Sequence, residues 1–250
     1  MTSKATLRLI RRFMHRLLRT SSAWPLEVER AEWTFYIKYL REGMVAFDVG
    51  AYVGELTLLF SRFVGQRGQV HAFEASSKAF KHLEAVCESA GRSNVILNHL
   101  ALAEKEGVVR LHVYDNEHLS WNSLADRPLQ KYGIHVKPVG TEEVLATTID
   151  AYCEKNGIPR IDLLKIDVEG AEYQVLQGAR RMLEGKRILC CVFEFGQTTF
   201  DMGNDPNEIE TYLKQFGYHI RNVVKGNPVF PGRSSAKTAC FSMHIARPGA

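Results

Sequence analysis

Acidic residues follow two short apolar segments in the first third of the chain, and glycines follow the first segment. Residues 45–49 (VAFDV) contain Asp48 and lead directly into Gly50 and, four positions on, Gly54. A second apolar run ends at Glu74, about 20 residues beyond Gly54. In nucleotide-binding βαβ units a carboxylate at this separation binds ribose hydroxyl groups. The spacing therefore predicts a nucleoside-containing cofactor.

The residues of the glycine turn distinguish between cofactors. A dinucleotide site carries Gly-x-Gly-x-x-Gly, but here Ala51 and Tyr52 occupy positions where small residues are needed. Asp48 would repel a pyrophosphate, whereas it suits a cationic ligand. S-adenosylmethionine carries an ammonium and a sulfonium group, so the turn favours this cofactor over a nicotinamide dinucleotide.

A second group of acids follows two later apolar segments. Residues 161–167 (IDLLKID) end at Asp167, and Glu169 comes two positions later. Residues 188–195 contain Glu194 near their end. Ligands of open α/β sheets gather at the carboxyl ends of the strands, so Asp167 and Glu169 are predicted to lie near the reacting group. An acid like Glu169 at a helix N-terminus is also favourable with no other role.

Asp167 and Glu194 suggest a further alternative, a magnesium site. If their strands are neighbours, the two carboxylates can together hold Mg²⁺, which prefers oxygen ligands. The sequence identifies no third oxygen ligand, so a site without metal is favoured.

Strand and helix patterns alternate along the chain, which predicts a doubly wound α/β sheet closed by an antiparallel hairpin. Residues 1–42 are predicted to form an N-terminal helical extension and residues 43–250 the main domain. Strands are expected at residues 45–49, 69–73, 94–98, 107–114, 161–167, 188–195, 218–224 and 239–246. Helices are expected at residues 26–41, 56–63, 78–90, 147–155, 168–183 and 206–216.

Residues 115–140 show no periodic pattern, and a loop of this length commonly forms a lid or a substrate wall. His118 in this loop is the best candidate for a general base, although a surface-loop histidine without a role is the favoured interpretation.

The charge distribution separates an N-terminal arm from the rest of the chain. Six basic residues and no acid precede Glu27, whereas the remainder carries slightly more acidic than basic residues. The main domain is therefore not a nucleic-acid binder. Residues 5–19 have the pattern of a basic amphipathic helix. Such a helix packs on the domain body or on a second subunit, or it lies on an anionic membrane. Residues 1–22 are therefore the predicted contact with a second subunit or with a membrane.

Five cysteines without Cys-x-x-Cys spacing indicate reduced residues in the core of a cytoplasmic protein. No apolar run approaches the length of a membrane span. A peripheral location at the inner membrane surface remains an alternative because of the basic arm.

The motifs taken together closely resemble the FkbM family of S-adenosylmethionine-dependent methyltransferases. The resemblance covers about residues 43–224 and rests on four segments: 48–57 (DVGAYVGELT), 72–74 (AFE), 101–102 (AL) and 162–172 (DLLKIDVEGAE). It implies a Rossmann-like methyltransferase fold with a mostly parallel seven-stranded sheet. It also implies S-adenosylmethionine as the methyl donor and S-adenosylhomocysteine as the product.

Two residues depart from the family pattern. Tyr52 stands where the family usually has Asn, and Ala75 stands where Pro is common. A left-handed backbone at position 52 would suit Asn better than Tyr.

The resemblance assigns roles to individual residues. Asp48 and the turn are expected to face the amino-acid end and the sulfonium of the cofactor, and Glu74 its ribose. His99 and Ala101 are expected to flank the adenine. The expected cofactor-binding residues are Asp48, Gly50, Ala51, Tyr52, Gly54, Thr57, Glu74, Ala75, His99, Ala101 and Asp167. The expected catalytic residues are Asp167, Glu169 and His118.

The leading hypothesis is methylation of a hydroxyl group on a sugar, lipid, peptide or secondary metabolite. Two alternatives are a binding module that keeps the fold without turnover and a nicotinamide-dependent oxidoreductase, which lacks the required glycine spacing. The acceptor is not predicted, because the segments that would contact it (1–42, 115–140 and 225–237) carry the weakest patterns.

Overall fold

The computed structural model describes residues 23–233 and 241–249. The predicted amphipathic helix at residues 5–19 lies outside these ranges. The described strands are β1 (Val45–Val49), β2 (Gln69–Phe73), β3 (Val95–Asn98), β4 (Ala101–Leu102), β5 (Gly107–Val113), β6 (Gly140–Thr147), β7 (Leu163–Ile166), β8 (Cys191–Phe195), β9 (Tyr218–Asn222) and β10 (Ser242–Pro248).

Helices flank these strands. The described α-helices are α1 (Ala23–Tyr39), α2 (Glu55–Val64), α3 (Ser77–Ala90), α4 (Ile149–Lys155), α5 (Glu172–Gln177), α6 (Arg180–Glu184), α7 (Gln197–Asp201) and α8 (Pro206–Gln215). Two short 3₁₀ turns, Leu119–Trp121 and Leu129–Tyr132, interrupt the long segment between β5 and β6.

Seven strands form the main sheet in the order β3-β2-β1-β7-β8-β10-β9. Neighbouring strands from β3 to β8 are parallel. Strand β10 runs antiparallel to both β8 and β9. The predicted fold, a doubly wound and mostly parallel seven-stranded sheet with a C-terminal antiparallel hairpin, is confirmed. β1 and β7 are neighbours, so the glycine turn and Asp167 follow adjacent strands.

The central strands are buried on both faces, because helices cover each side of a parallel sheet. Successive side chains of β1 point to opposite faces. Phe47 packs in one core cluster with Ile166 and Phe193. Ala46 packs in the other with Phe60 of α2.

Helix α1 shares a core with the sheet. Tyr36 is buried, and its ring contacts that of Phe60 edge-on with the centroids 4.8 Å apart. The hydroxyl of Tyr39 donates a hydrogen bond of 2.9 Å to the backbone oxygen of Asp162, just before β7. These contacts fix α1 against the main domain.

A second, three-stranded sheet in the order β4-β6-β5 was not predicted. Strand β5 was expected, but its antiparallel partner β6 was missed. The polar run at Thr141, Glu142 and Glu143 hides the alternation of β6, whose buried face consists of Val144 and Ala146. Pairing with β5 on one side and β4 on the other makes this segment a strand.

The single helix expected at residues 168–183 is two short helices, α5 and α6. Gly178 lies between them against the backbone oxygen of Ala103, where an added Cβ would overlap that atom. Within the described residues, no helix combines the length and apolarity needed to cross a bilayer.

Gly50 is predicted to be indispensable for stability. Its φ is +74°, and an added Cβ would overlap the backbone oxygen of Asp167, whereas Gly91 (φ +59°) faces open space. Both alanine variants gain backbone strain, but only Gly50→Ala gains a clash. We expect Gly50→Ala to lose roughly 2 kcal/mol or more beyond Gly91→Ala. Thermal unfolding should show a Tm gap of about 4–8 °C between the variants. Equal Tm values would contradict the close approach.

Candidate active site

A cavity of about 520 Å³ opens at the carboxyl ends of β1, β2 and β7. The segments that line it include the glycine turn, the segment after β2, the loop segment 119–124, the turn after β7 and side chains of α1. The predicted site residues in its wall are Gly50, Ala51, Tyr52, Glu74, Ala75, Ala101, Asp167, Glu169 and Glu194. The topology thus brings together residues from distant parts of the chain.

Backbone hydrogen bonds hold the glycine turn between two strands. The N–H groups of Gly50 and Ala51 donate to the oxygen of Phe73 at 3.0 and 2.9 Å. The N–H of Asp167 donates to the oxygen of Val49 at 3.1 Å. These hydrogen bonds fix the position of the turn relative to β2 and to Asp167.

Tyr52 adopts the left-handed conformation that the sequence analysis considered, with a φ of 51°. Its N–H donates to one carboxylate oxygen of Glu74 at 2.8 Å, and the N–H of Ser76 donates to the other at 2.9 Å. Burial raises the pKa of Glu74, and the two N–H donors oppose this shift. Each carboxylate oxygen accepts more than one hydrogen bond. Glu74 can therefore hold the turn and also accept the hydroxyl groups of a ribose.

Asp48 lies beneath the turn and not in the cavity wall. It is fully buried, accepts a hydrogen bond of 2.6 Å from the Thr57 hydroxyl, and pairs with the ammonium of Lys165 at 3.1 Å. The expected contact between Asp48 and the cofactor stays a prediction, and this placement puts the carboxylate behind the wall. Its charge reaches the cavity through Lys165, which lines the wall.

Lys165 is the centre of this arrangement. Its ammonium donates to the oxygen of Gly50 at 2.8 Å and lies 3.6 Å from the carboxylate of Asp167. Burial alone would lower the pKa of Lys165, but the carboxylates of Asp48 and Asp167 outweigh it and raise that pKa. The lysine therefore stays charged and fixes the turn and Asp167 relative to each other.

Thr57 and Gly54 also lie outside the wall, although both were expected to bind the cofactor. Thr57 orients Asp48. Gly54 precedes α2 with a φ of 87°, and an added Cβ would lie 2.7 Å from the side chain of Leu83. Both residues support the glycine turn on its side away from the cavity.

Four carboxyl groups cluster after β7 and on β8. Asp167 is 38 % exposed and faces the cavity. Burial raises the pKa of Glu194 well above its usual value, and the adjacent charge and hydrogen bond of Asp167 add to the shift. Burial raises the pKa of Glu169 to about 8 and that of Glu172 to about 7. Burial thus favours the protonated forms of Glu169, Glu172 and Glu194.

Glu172 shapes the backbone that carries Glu169. One of its carboxyl oxygens accepts hydrogen bonds from the N–H groups of Val168 and Gly170 at 3.0 and 3.1 Å. Glu169 has a φ of 54°, and the Ser123 hydroxyl donates to its backbone oxygen at 2.7 Å. Hydrogen bonds from Glu172 and from Ser123 therefore hold the turn after Asp167 in place.

Arg127 connects the long loop to this turn. Its guanidinium lies 3.5 Å from the carboxylate of Glu169 and 3.3 Å from that of Asp201. The guanidinium also lies 5.8 Å from the ring centroid of Trp121, which lines the cavity. The predicted role of the loop as a wall of the site agrees with this geometry.

Neither histidine singled out from the sequence lines the cavity. His118 contacts the carboxylate of Asp115 at 2.8 Å and packs on Trp121. The cavity wall begins at the next residue, Leu119, so a base role for His118 is not supported by its position. His99 stacks on Phe80, while the adjacent Leu100 lines the cavity with Ala101.

The residues present do not fit a metal ion. Within residues 23–233 and 241–249, no group of three or more His, Cys, Asp or Glu side chains is arranged to hold one. Asp167 and Glu194 line the same cavity, and among the described residues no third ligand joins them. No step through Mg²⁺ is derived.

The wall also contains residues that the sequence analysis did not assign to the site, among them Lys165, Glu32, Trp33 and Trp121. Lys165 offered a signal, since a lone charge inside an apolar strand must be paired when it is buried. The other three lie in segments whose position against the sheet depends on tertiary packing.

Comparison with solved structures defines the class of the fold. A methyltransferase FkbM from Methylobacillus flagellatus KT superimposes with a TM-score of 0.50 at 14 % identity over 95 % of this chain; the match spans 59 % of that protein. A candidate rRNA methylase from Clostridium thermocellum gives a TM-score of 0.50 at 11 % identity over 89 % of this chain and 96 % of its own. The fold is a Rossmann-like methyltransferase fold.

Sequence comparison defines the family. Residues 48–220 match the model of the methyltransferase FkbM domain. The chain is 30 % identical over 216 residues to 31-O-demethyl-FK506 methyltransferase FkbM from Streptomyces tacrolimicus, a match that covers 77 % of this chain and 78 % of that protein. The chain belongs to the FkbM methyltransferase family, and the protein is a methyltransferase.

Glu172 is predicted to make stability depend on pH. Burial raises its pKa from 4.5 to about 7, so the folded state binds its proton more tightly than the unfolded state. This contribution to the free energy of unfolding is present below the unfolded pKa and is lost as pH rises through about 7. Glu172→Gln cannot ionise, yet its amide oxygen still accepts both N–H groups. We expect the wild type to lose about 1–3 kcal/mol relative to this variant between about pH 4.5 and 8.

Urea unfolding of both proteins across this range would measure the difference. The difference reports the ionisation of Glu172 together with its repulsion of Glu169 and Glu194. Parallel stability curves would contradict the assignment.

Proposed function

We propose that the protein transfers a methyl group from S-adenosylmethionine to a hydroxyl oxygen of an acceptor molecule. The observation that carries this proposal is that Glu74, the glycine turn held by Lys165, and Asp167 line one and the same cavity. Glu74 follows β2 and Asp167, a partly exposed carboxylate, follows β7, so the two acids flank the turn after β1. We assign the ribose hydroxyls to Glu74.

The donor end of the site is proposed at β1 and β2. The residues there that would contact the cofactor are Gly50, Ala51, Tyr52, Glu74, Ala75 and Ala101. The wall is acidic, and among its described residues Lys165 is the sole cation. This electrostatic environment suits the positive charge of a sulfonium better than it would suit a pyrophosphate.

The bound cofactor supplies an electrophilic methyl group whose leaving group is a neutral thioether. The protein residues then have to hold the acceptor oxygen in line with that methyl group, which accounts for much of the rate. Asp167 is proposed to accept the proton of the acceptor hydroxyl as the new bond forms. Lys165 holds this carboxylate in position at 3.6 Å.

The relative from Streptomyces tacrolimicus supports transfer to oxygen through its name, which describes an O-demethyl substrate. The acidic pocket also favours a hydroxyl acceptor. A phosphate or carboxylate on the acceptor next to these carboxyl groups would meet uncompensated like charge.

Binding of the product tests the donor site directly. Isothermal titration with S-adenosylhomocysteine should show micromolar affinity for the wild type. Glu74→Ala should weaken binding about tenfold, since it removes a charge-assisted acceptor. Glu143→Ala, an exposed carboxylate on β6, is the matched control and should bind like the wild type. Absence of binding by the wild type would refute the proposal.

Turnover tests the role of Asp167. With methyl-labelled S-adenosylmethionine and a small-molecule extract as the acceptor source, Asp167→Asn should reduce the rate of labelling by about 10²-fold or more. Its affinity for S-adenosylhomocysteine should change by less than about threefold, because the removed group acts on the acceptor. An equally active variant would show that another group, or water, takes the proton.

A further inference from the structure

Helix α1 has a cavity face and an outward face. On the cavity face, Glu32 and Trp33 line the wall of the active site. On the outward face, exposed side chains lie at Arg30, Ile37 and Lys38, and the first two are separated by about two helical turns. The outward face therefore carries two cations and an aliphatic side chain, Ile37, that is 45 % exposed.

Two arginines of the neighbouring strands extend the outward face. The guanidinium of Arg247 on β10 lies 4.7 Å from the ring centroid of Tyr39 and 5.6 Å from that of Phe35. The guanidinium of Arg221 on β9 lies 5.9 Å from the Phe35 centroid. Both arginines are exposed, as is Arg41 just after the end of α1. The cations of the strands thus lie beside the last turns of the helix.

These side chains form a basic patch, which consists of Arg30, Lys38, Arg41, Arg221 and Arg247. None of the five forms an ion pair with a carboxylate of the described residues. The neighbouring acids Glu42 and Asp162 pair with other arginines. Residues 1–22 and 234–240 contain no Asp or Glu and have no side-chain carboxylate to offer. The patch therefore carries uncompensated positive charge.

The segment before α1 has the same sign as the patch. Six basic residues and no acid precede Glu27, and the rest of the chain carries slightly more acidic than basic residues. Because like charges repel, the basic arm cannot neutralise the patch. Arm and patch instead add their charges on one part of a chain that is otherwise slightly acidic. This distribution fits an anionic partner outside the chain.

The packing of the patch favours a lipid surface over a nucleic acid. The rings of Phe35 and Tyr39 stack on each other with the centroids 5.4 Å apart, and Arg221 and Arg247 lie over them. These rings are therefore not open for the stacking of bases. Ile37 instead exposes an aliphatic side chain among cations, which is the combination that interfacial segments bring to lipid headgroups.

We propose that the basic patch docks the protein on an anionic membrane surface, with Ile37 reaching into the headgroup region. The same helix lines the cavity through Glu32 and Trp33. Docking through its outward face consequently holds this wall of the active site about one helix diameter, roughly 10 Å, from the lipid. The inference goes beyond the proposed function and does not depend on it, since docking needs neither cofactor nor acceptor.

Co-sedimentation with vesicles tests the docking. The full-length protein is mixed with vesicles of phosphatidylcholine, either alone or with phosphatidylglycerol as the anionic component. We expect binding to the anionic vesicles alone. This binding should be lost at about 1 M salt, where the Debye length falls to about 3 Å. Equal binding to both kinds of vesicle, or binding to neither, would overturn the proposal.

Charge-neutralising variants locate the surface. The double variant Lys38→Gln with Arg41→Gln should bind anionic vesicles about 20-fold more weakly, since each basic residue near such a surface contributes roughly fivefold. The matched control, Lys131→Gln with Lys155→Gln, removes the same charge from exposed positions outside the patch. Lys155 belongs to α4, which packs on the opposite face of the sheet from α1. The basic arm is present in both proteins, so equal weakening would show that the patch is not the docking surface.

A substitution at Ile37 distinguishes lipid from other polyanions. Ile37→Asn should weaken vesicle binding about fivefold, because it removes apolar surface that the headgroup region would bury. Its Tm should stay within about 2 °C of wild type, since the residue is exposed. Unchanged vesicle binding by this variant would refute the insertion of Ile37. Tight binding of a single-stranded oligonucleotide without any vesicle binding would assign the patch to nucleic acid and overturn the proposal.

The cofactor titration keeps this inference separate from the proposed function. The Lys38 and Arg41 double variant should bind S-adenosylhomocysteine within about threefold of wild type, because the patch lies on the face of α1 away from the cavity. Loss of vesicle binding with intact cofactor binding would affect the docking surface alone. Vesicle binding by a protein that fails to bind S-adenosylhomocysteine would overturn the donor site and leave the docking surface in place.

Discussion

The site depends on the ion pairs of the buried Lys165 ammonium with two carboxylates. The ammonium joins the carboxylates of Asp48 and Asp167 and also donates a hydrogen bond to the backbone oxygen of Gly50. Two carboxylates and one ammonium leave a net negative charge in a low-dielectric region, which is costly without fixed geometry. The hydrogen bonds of the glycine turn provide that geometry, so turn, lysine and acids stabilise one another.

The cost of burying charge also accounts for the raised pKa values of the carboxyl groups around the cavity. Burial and mutual repulsion raise the pKa values of Glu32, Glu169 and Glu194. A core optimised for stability would replace such groups with apolar residues. Their retention at a cavity, and the left-handed backbone at Tyr52 and Glu169, place unfavourable features where a ligand can use them.

Much of the fold could be predicted because its signals are local. Strands β1 and β7 are short apolar runs that end at an acid, and the periodicity of α3 is plain in the sequence. Strand β6 could not be predicted, since its outer residues are polar and its pairing partner β5 lies about 30 positions earlier. The broken helix at Gly178 has a similar cause, a contact with the distant Ala103.

The sequence by itself determined the family, the sheet and the acids that reach its carboxyl edge, because each depends on neighbours in the chain. Only the tertiary structure decided which acids face a ligand. Asp48 and Asp167 look alike as strand-end acids, yet Asp48 is buried against Lys165 and Asp167 is open to the cavity. The tertiary structure also brought Glu32 of α1 to the site. The orientation of a side chain depends on which strands and helices pack around it, and that information is not local.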